Sequence, residues 1–343
     1  MTAQLRGVAV GAGYFSHFQY DAWNRIPEVE IAGAYNRTRE KIQEVQETYK
    51  VPSIYSDDQL EAMLDELKPD FIDVITPPVT HLDICQLAFD RGIHVICQKP
   101  LAPTYEESVK LVENAAHSDS RFMVHENWRW QPWYRKIKDL LSEGQLGELF
   151  SIYVNMRMGD GWGNDAYLAR QPFFRDYPRL LIFETGVHFL DAFRFLGGEV
   201  DSLYARLARR NPIIKGEDAG IVVCNFLNGA TATLDANRYN EADTDDARYT
   251  FGAMRFDGSK GHLELSLDGT LVFKPLGETP LKIEYTHEHR GFAGDCVFNV
   301  QRHFVDCMLS GEPFESTGED YLKTLKLVEA AYQSNDANQV VRI

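Results

Sequence analysis

Over the first third of the chain, short apolar runs alternate with stretches of helical period. Residues 5–10 form an apolar run that ends on glycines, and residues 14–25 follow with helical spacing. A second strand is expected over 29–35, then a helix over 38–49 with Thr38 as its N-cap. Asp57 is the expected N-cap of a helix over 59–66. A strand over 71–75 precedes a helix over 81–91, and a strand over 94–97 precedes a helix over 106–116 capped by Thr104. A strand over 121–125 closes the series. Strands separated by helices of this length form right-handed βαβ units. The expected architecture is therefore α/β, an open doubly wound parallel sheet of the Rossmann type.

The pattern changes after residue 126. A helix over 133–143 ends at Gly144, an alternating run over 149–158 reads as a strand, and a helix is expected near 186–195. Strand-like runs then follow one another at 202–207, 219–226, 230–236, 249–257, 262–266 and 271–274, with turns at Asp257-Gly258 and Asp268-Gly269. Strands without intervening helices imply an open, mostly antiparallel or mixed sheet. Two helices end the chain, over 296–310 and 320–334, the last with a stripe of Leu322, Leu325, Val328 and Tyr332. Two domains are expected, 1–126 and 127–343, in keeping with a length of 343 residues.

Composition narrows the function classes. Net charge is −16, from 51 acidic against 35 basic residues. Such a surface repels phosphate backbones and anionic headgroups, which disfavours nucleic acid and membranes as partners. A helix N-terminus can still hold an anionic cofactor locally. The five cysteines, Cys85, Cys97, Cys224, Cys296 and Cys307, are odd in number and include no CxxC pair. A reducing compartment fits them best. The opening MTAQLRGVAV has no signal-peptide pattern, and no apolar run of about 18 residues is present, so a cytoplasmic protein is expected.

Candidate chemistry begins at Gly11-Ala12-Gly13-Tyr14-Phe15-Ser16, between the first strand and first helix. There one glycine permits the tight turn, and a second lets backbone approach a pyrophosphate. Ser16 holds the third fingerprint position and is small enough for helix–strand packing. The second strand ends at Asn36 and Arg37. An asparagine can hydrogen-bond a ribose 2′-hydroxyl, and an arginine can pair with a 2′-phosphate, stack on adenine, or sit in solvent. Both NAD and NADP therefore stay open, with a lean to NAD.

The third strong strand runs into Thr76-Pro77-Pro78-Val79-Thr80-His81, and the next ends in Cys97-Gln98-Lys99-Pro100-Leu101. Both lie at carboxyl ends of parallel strands, where ligands bind such sheets. With Glu184-Thr185-Gly186-Val187-His188-Phe189-Leu190-Asp191, Asn127-Trp128-Arg129-Trp130-Gln131-Pro132 and Gly144-Gln145-Leu146-Gly147-Glu148, the chain resembles the Gfo/Idh/MocA family of sugar and cyclitol dehydrogenases over nearly its whole length. The resemblance implies an N-terminal dinucleotide-binding Rossmann domain and a C-terminal α+β domain for substrate binding and oligomerisation. A homodimer or homotetramer is implied, and an open sheet face needing cover agrees. Lys99 matches the family's catalytic lysine, His188 its catalytic histidine, and Glu184 the position usually held by aspartate. Gly11, Ala12, Gly13, Tyr14, Phe15, Asn36, Arg37, Gln98 and Lys99 fall on the cofactor side. Thr76, Pro77, Pro78 and His81 match the loop beside nicotinamide and ribose. Arg170 aligns loosely with an arginine reaching toward cofactor or substrate. Asn127 and Arg129 match the start of the substrate cleft, and Trp128, Trp162 and Arg179 are further substrate candidates.

The residue types suit the chemistry without the family. Oxidising an alcohol requires a base as hydride departs, a role open to His188 or Lys99, and an ammonium at Lys99 can stabilise developing alkoxide. If the helix already starts at Glu184, that carboxylate shares a face with His188 and can orient its ring. Gln98 replaces the family's usual glutamate and removes a negative charge beside Lys99. Trp128, Trp130 and Trp133 read as core residues, or, for Trp128 and Trp162, as flat faces for a sugar ring. Asp235–Asn237, Arg238 and Tyr239 are plausible hydroxyl readers, and the acidic run 241–246 reads as a solvated loop. The Gln-Lys-Pro and Asn-Trp-Arg-Trp combination is similar to aldose dehydrogenases of the family, those for branched pentoses such as D-apiose among them. A cyclitol or a keto sugar is the open alternative. A lyase or glycosidase with transient internal redox, and a non-catalytic cofactor sensor, are the other classes. His287-Glu288-His289 is the densest candidate for a metal, read here as a polar loop with no metal expected.

Overall fold

The computed structural model describes residues 4–343. They form two compact units. The first comprises residues up to Asn127 together with Val297–Lys323, and the second comprises Trp128–Cys296 together with Thr324–Ile343.

The first unit carries a parallel sheet of β1 (Leu5–Val10), β2 (Val29–Tyr35), β3 (Ser53–Tyr55), β4 (Phe71–Val74), β5 (His94–Gln98) and β6 (Phe122–His125) in the order β3-β2-β1-β4-β5-β6. Helices α1 (Ser16–Asn24), α2 (Arg39–Tyr49), α3 (Leu60–Leu67), α4 (His81–Phe89) and α5 (Tyr105–Ala116) alternate with the strands. Val8, Ala9 and Val10 of β1 and all four residues of β4 are buried. This is the near-continuous apolar run expected of a parallel sheet covered on both faces. Strand order reverses at β1, with β2 on one side and β4 on the other. The carboxyl ends of β1 and β4 therefore flank the switch point where such sheets bind ligands.

The segment Val297–Lys323 belongs to this unit. Phe304 of α8 (Cys296–Ser310) packs on Phe71 and Trp23 at ring separations of 5.1 and 6.2 Å. Ser316 accepts from the Val124 amide at 2.8 Å and donates its hydroxyl back to the Val124 carbonyl at 2.7 Å.

The second unit holds a mixed sheet of β7 (Leu149–Arg157), β8 (Val200–Ala208), β9 (Ala219–Phe226), β10 (Thr231–Asn237), β11 (Ala253–Gly258), β12 (Gly261–Leu265), β13 (Leu271–Pro275), β14 (Leu281–Ile283) and β15 (Val341–Arg342), in the order β14-β13-β12-β11-β7-β10-β9-β8-β15. Within this sheet, among the described residues, only β7 with β10 is a parallel pair. Burial alternates strictly along β10 and β11. Ile152, Val154, Leu234, Met254 and Phe256 face the core, while Tyr153 and Ile221 stand on the open side. Helices α6 (Pro132–Ser142), α7 (Val187–Gly197) and α9 (Gly318–Ala337) complete the chain, and α7 packs over β7 and β10.

Both sheets follow the patterning, with local departures. The expected strand over 249–257 starts only at Ala253. Phe251 and Gly252 take φ of 58° and 139°, left-handed backbone that no strand tolerates. The helix after Asp57 begins at Leu60 with Gln59 as N-cap, and Asp57 itself has φ 57°. Thr38 occupies the N-cap of α2 without a side-chain bond, whereas the Thr104 hydroxyl accepts from the Glu107 amide. Among the described residues no helix is long and apolar enough to cross a membrane.

Candidate active site

At the end of β1, the Gly11 amide donates to Tyr35 O at 2.8 Å, and Gly11 O accepts from the Tyr20 hydroxyl at 3.0 Å. Its φ is +131°, and a Cβ there would lie 2.9 Å from the Ile75 carbonyl. Gly13 differs: a Cβ would meet nothing within 4 Å. The Ser16 hydroxyl donates to Gly13 O at 2.7 Å and closes the turn at the start of α1. A rigid glycine turn with open space over its second glycine, leading into a nine-residue helix, fits a dinucleotide pyrophosphate. Tyr14 is exposed, with Phe18 edge-on to it at 5.7 Å, and Ala12 is buried in the turn.

The two glycines predict different failures. Gly11→Ala is expected to destabilise the cofactor-free protein by about 1–3 kcal/mol, because backbone must shift. Gly13→Ala should melt with the wild type yet bind dinucleotide at least about tenfold more weakly, since only the ligand meets the new methyl. Thermal melts without cofactor and titrations with it separate the two. Equal melting of wild type and Gly11→Ala would overturn the reading.

At the end of β2, the Asn36 amide nitrogen donates to Thr38 O at 2.9 Å, and Arg37 is exposed. After β4, Thr80 donates to the Thr76 hydroxyl at 2.7 Å in a short 3₁₀ turn over Pro78–Thr80. His81 is fully buried, its ring nitrogens 2.7 Å from Thr76 O and 3.1 Å from Leu101 O. Burial pushes this imidazole below its ordinary pKa, although the carbonyls around it favour the proton. His81 thereby ties the Thr76-Pro77-Pro78 loop to the chain just beyond Lys99.

Beneath Lys99 runs a buried polar chain that sequence reasoning missed. The Lys99 amide donates to Gln98 Oε1 at 2.9 Å, and Gln98 Nε2 donates to Gln19 Oε1 at 3.0 Å. Gln19 Nε2 stands 2.9 Å from both oxygens of Asp73, and Trp23 Nε1 donates to Asp73 Oδ2 at 2.7 Å. Asp73 sits in the middle of β4, fully buried. Burial pushes its carboxyl up to about 7, opposed by the N–H donors of Trp23 and Gln19. A carboxylate within an otherwise apolar strand was the available signal. The Lys99–Pro100 peptide is cis, and the Lys99 side chain is partly exposed.

In the second unit, Trp128 opens a 3₁₀ turn over Trp128–Trp130 and lies parallel to the His188 ring, 4.5 Å away at an interplanar angle of 2°. Phe189 and Phe251 pack on the same indole at 4.7 and 4.5 Å. Glu184 lies in a π-helical turn over Leu181–Gly186 that runs into α7, so the expected plain α-helical spacing to His188 does not hold. Its carboxylate accepts from Thr185 Oγ1 at 2.8 Å and stands 3.6 Å from Arg238 Nη1. Buried Arg238 also donates to Thr185 Oγ1 at 2.8 Å and binds Asp160 at 2.6 Å, and Arg170 reaches the same Asp160 at 3.1 Å. Glu184, Arg170 and Arg238 are thus gathered in one charged cluster.

Other candidates stand apart from it. Arg129 is buried and bidentate on Asp191, at 2.6 and 2.8 Å. Arg179 pairs with Glu329 at 2.6 Å and lies over the Tyr332 ring. Trp162 is exposed and donates to Glu241 at 3.2 Å. Asn127 is buried. Asp235 pairs with Arg157 at 2.9 Å. His287 and His289 lie outside regular structure, with His289 stacked on Tyr249 at 3.7 Å. Among the described residues no group of His, Cys, Asp and Glu is arranged to hold a metal ion.

Comparison with known proteins adds to this geometry. Residues 5–126 match the family described as "Oxidoreductase family, NAD-binding Rossmann fold", and residues 134–264 match "GFO/IDH/MocA C-terminal domain". D-apiose dehydrogenase of Rhizobium rhizogenes is 31% identical, with 99% of this chain and 98% of that protein covered. D-apiose dehydrogenase of Paraburkholderia graminis is 30% identical, with 99% and 90% covered. An oxidoreductase from Agrobacterium radiobacter, solved with NAD+, L-tartaric acid and magnesium, is 29% identical at a TM-score of 0.89, covering 99% of this chain and 98% of that one.

Proposed function

Because this chain belongs to the Gfo/Idh/MocA oxidoreductase family, we propose that it is an NAD(P)-dependent dehydrogenase that oxidises a carbinol of an aldose, with a branched pentose such as D-apiose as the first candidate. The end-to-end likeness to two D-apiose dehydrogenases carries this reading. Gly11–Phe15 would hold the pyrophosphate, Asn36 and Arg37 the adenosine ribose, and the Thr76–Pro78 loop with His81 and Gln98 the nicotinamide end, with Arg170 reaching toward cofactor or substrate. Nicotinamide, when bound, supplies the hydride acceptor. The anchored Asn36 amide, with its oxygen left to accept from a ribose hydroxyl, supports NAD as the working cofactor.

His188 takes the hydroxyl proton as the C–H bond breaks, and Trp128 holds its ring by stacking. The Lys99 ammonium holds the oxygen as it gains alkoxide character. Glu184 contributes a polar group held by Thr185 and Arg238. Residues 127–343 serve substrate binding and oligomerisation, with Trp128, Trp162, Asn127, Arg129 and Arg179 as the candidate sugar contacts. The open sheet side bearing Tyr153 and Ile221 supports a homodimer or homotetramer. Five buried thiols support a reducing compartment, the cytoplasm.

The test is to incubate protein with NAD+ and then NADP+ across aldoses including D-apiose, polyols and inositols, and to follow reduced-nicotinamide absorbance. A rise with an aldose and NAD+ is expected. A flat trace across the panel, with dinucleotide binding shown separately, would overturn the substrate assignment.

A further inference from the structure

The buried chain under Lys99 has a direction. Its hydrogen bonds run Lys99 N–H to Gln98 Oε1, Gln98 Nε2 to Gln19 Oε1, and Gln19 Nε2 to the Asp73 carboxylate, which Trp23 Nε1 also donates to. Both ends are fixed chemically. A backbone N–H can only donate, and the Asp73 carboxyl accepts here, with Gln19 Nε2 2.9 Å from both of its oxygens and Trp23 Nε1 donating at 2.7 Å. The two amides between them therefore have one satisfied orientation, with every donor pointing toward Asp73. Every side chain in the chain is buried, so a reversed amide would find no water to compensate it. His125 Nδ1, 3.4 Å from Gln98 Nε2, lies beside the middle link.

The departure from the family at position 98 follows from this direction. A glutamate there would still accept from Lys99 N–H. It would also present an acceptor to Gln19 Oε1. Turning Gln19 over would satisfy it at one end and place Gln19 Oε1 against the Asp73 carboxylate at the other. With an aspartate at 73, position 98 must carry both a donor and an acceptor.

We propose that Asp73 is a positioning residue for Lys99, acting through Gln19 and Gln98 as an oriented amide relay that holds the peptide on which the lysine is carried. The proposal rests on the reading of Lys99 as the group that holds the substrate oxygen. Asp73 touches neither substrate nor cofactor. Its part is to fix which way two amides face, and so where the Lys99 backbone lies.

Polarity gives the relay a test that a merely structural polar core would not pass. Asp73→Asn presents a donor to Gln19, which turns over. Gln98 must then turn its oxygen to Gln19, which leaves its amine against the Lys99 N–H. Gln98→Glu places two carboxylates at the ends of one amide. The double variant Asp73→Asn/Gln98→Glu reverses the relay and satisfies it again. The new amide at position 73 donates to Gln19, Gln19 donates to the new carboxylate at position 98, and that carboxylate still accepts from Lys99 N–H. Each single variant is expected to lower kcat at least about tenfold, with the cofactor KM little changed in Asp73→Asn, and the double to return to within about threefold of wild type in kcat. Hydrogen exchange of the Lys99 amide, measured on the same full-length proteins, should speed up in each single variant and slow again in the double.

If a single variant fails to fold and the double folds and turns over, the reciprocal coupling is still seen and the proposal holds. A double variant no better than the worse single, or singles that match the wild type in both kcat and Lys99 exchange, overturns it. Lys99→Met keeps the two readings separate. If it turns over normally while the exchange cycle behaves as expected, the relay stands and the oxygen-holding role of Lys99 falls.

Discussion

His188→Ala lowers kcat by about 100- to 10,000-fold while leaving dinucleotide affinity within about twofold of wild type. The expectation starts from the ring's setting. His188 is buried, parallel to Trp128 at 4.5 Å, and follows directly on a π-helical turn, an irregularity that in α-helices often marks functional positions. A histidine held this way gives up rotational freedom beforehand, so its proton-accepting nitrogen needs no search at the moment of reaction. Alanine removes the acceptor and leaves Trp128 packed by Phe189 and Phe251, so the fold should persist. His188→Asn keeps a polar group of similar reach but no base, and should be nearly as slow. Dinucleotide titration checks the first unit, and steady-state rates with the best substrate check the second. Turnover near wild type in either variant would remove His188 from the proton transfer.

How far the sequence could be read depends on how local each cause is. β1 and β4 were legible because parallel strands covered on both sides show as mostly apolar runs next to turn-forming loops. β3, β14 and β15 were not, being two or three residues long with no fully buried position, so no period can register. The start of β11 was misplaced because Tyr249 and Phe251 are good strand formers by type, whereas the left-handed backbone at Phe251 and Gly252 comes from the surrounding structure. Glu184 and His188 could be named from their motif. The π turn that carries Glu184 has no compositional mark, so the carboxylate's place beside Thr185 and Arg238 was not foreseeable. The relay was hidden for another reason. Gln19, Asp73 and Gln98 lie on three separate elements, and nothing in one element announces a partner in another. An acidic residue in the middle of a buried strand was the one local anomaly, and it pointed to the right place.

Arg129 is where motif and geometry point in different directions, and a second large effect follows. Its guanidinium is bidentate on Asp191, whose side chain is fully buried, and Thr324 Oγ1 donates to the same carboxylate at 3.0 Å. Asp191 lies one helical turn beyond His188 on α7, and Arg129 follows Trp128 directly. The ion pair thus fastens the Trp128–Trp130 turn to the helix that bears His188. Arg129→Met removes a bidentate guanidinium from a buried carboxylate, which is expected to cost about 3–5 kcal/mol of stability. Because the pair also sets the Trp128–His188 stack, kcat should fall along with the melting temperature. Arg129→Met/Asp191→Leu removes both charges and should recover most of the stability, since an apolar pair of similar volume can replace a buried ion pair. A purely substrate-binding arginine makes the opposite forecast. Arg129→Met would then raise the sugar KM at unchanged stability, and the double variant would recover nothing. Thermal melts and KM values of the two variants decide between an arginine that reads the sugar and one that holds the ring that reads it.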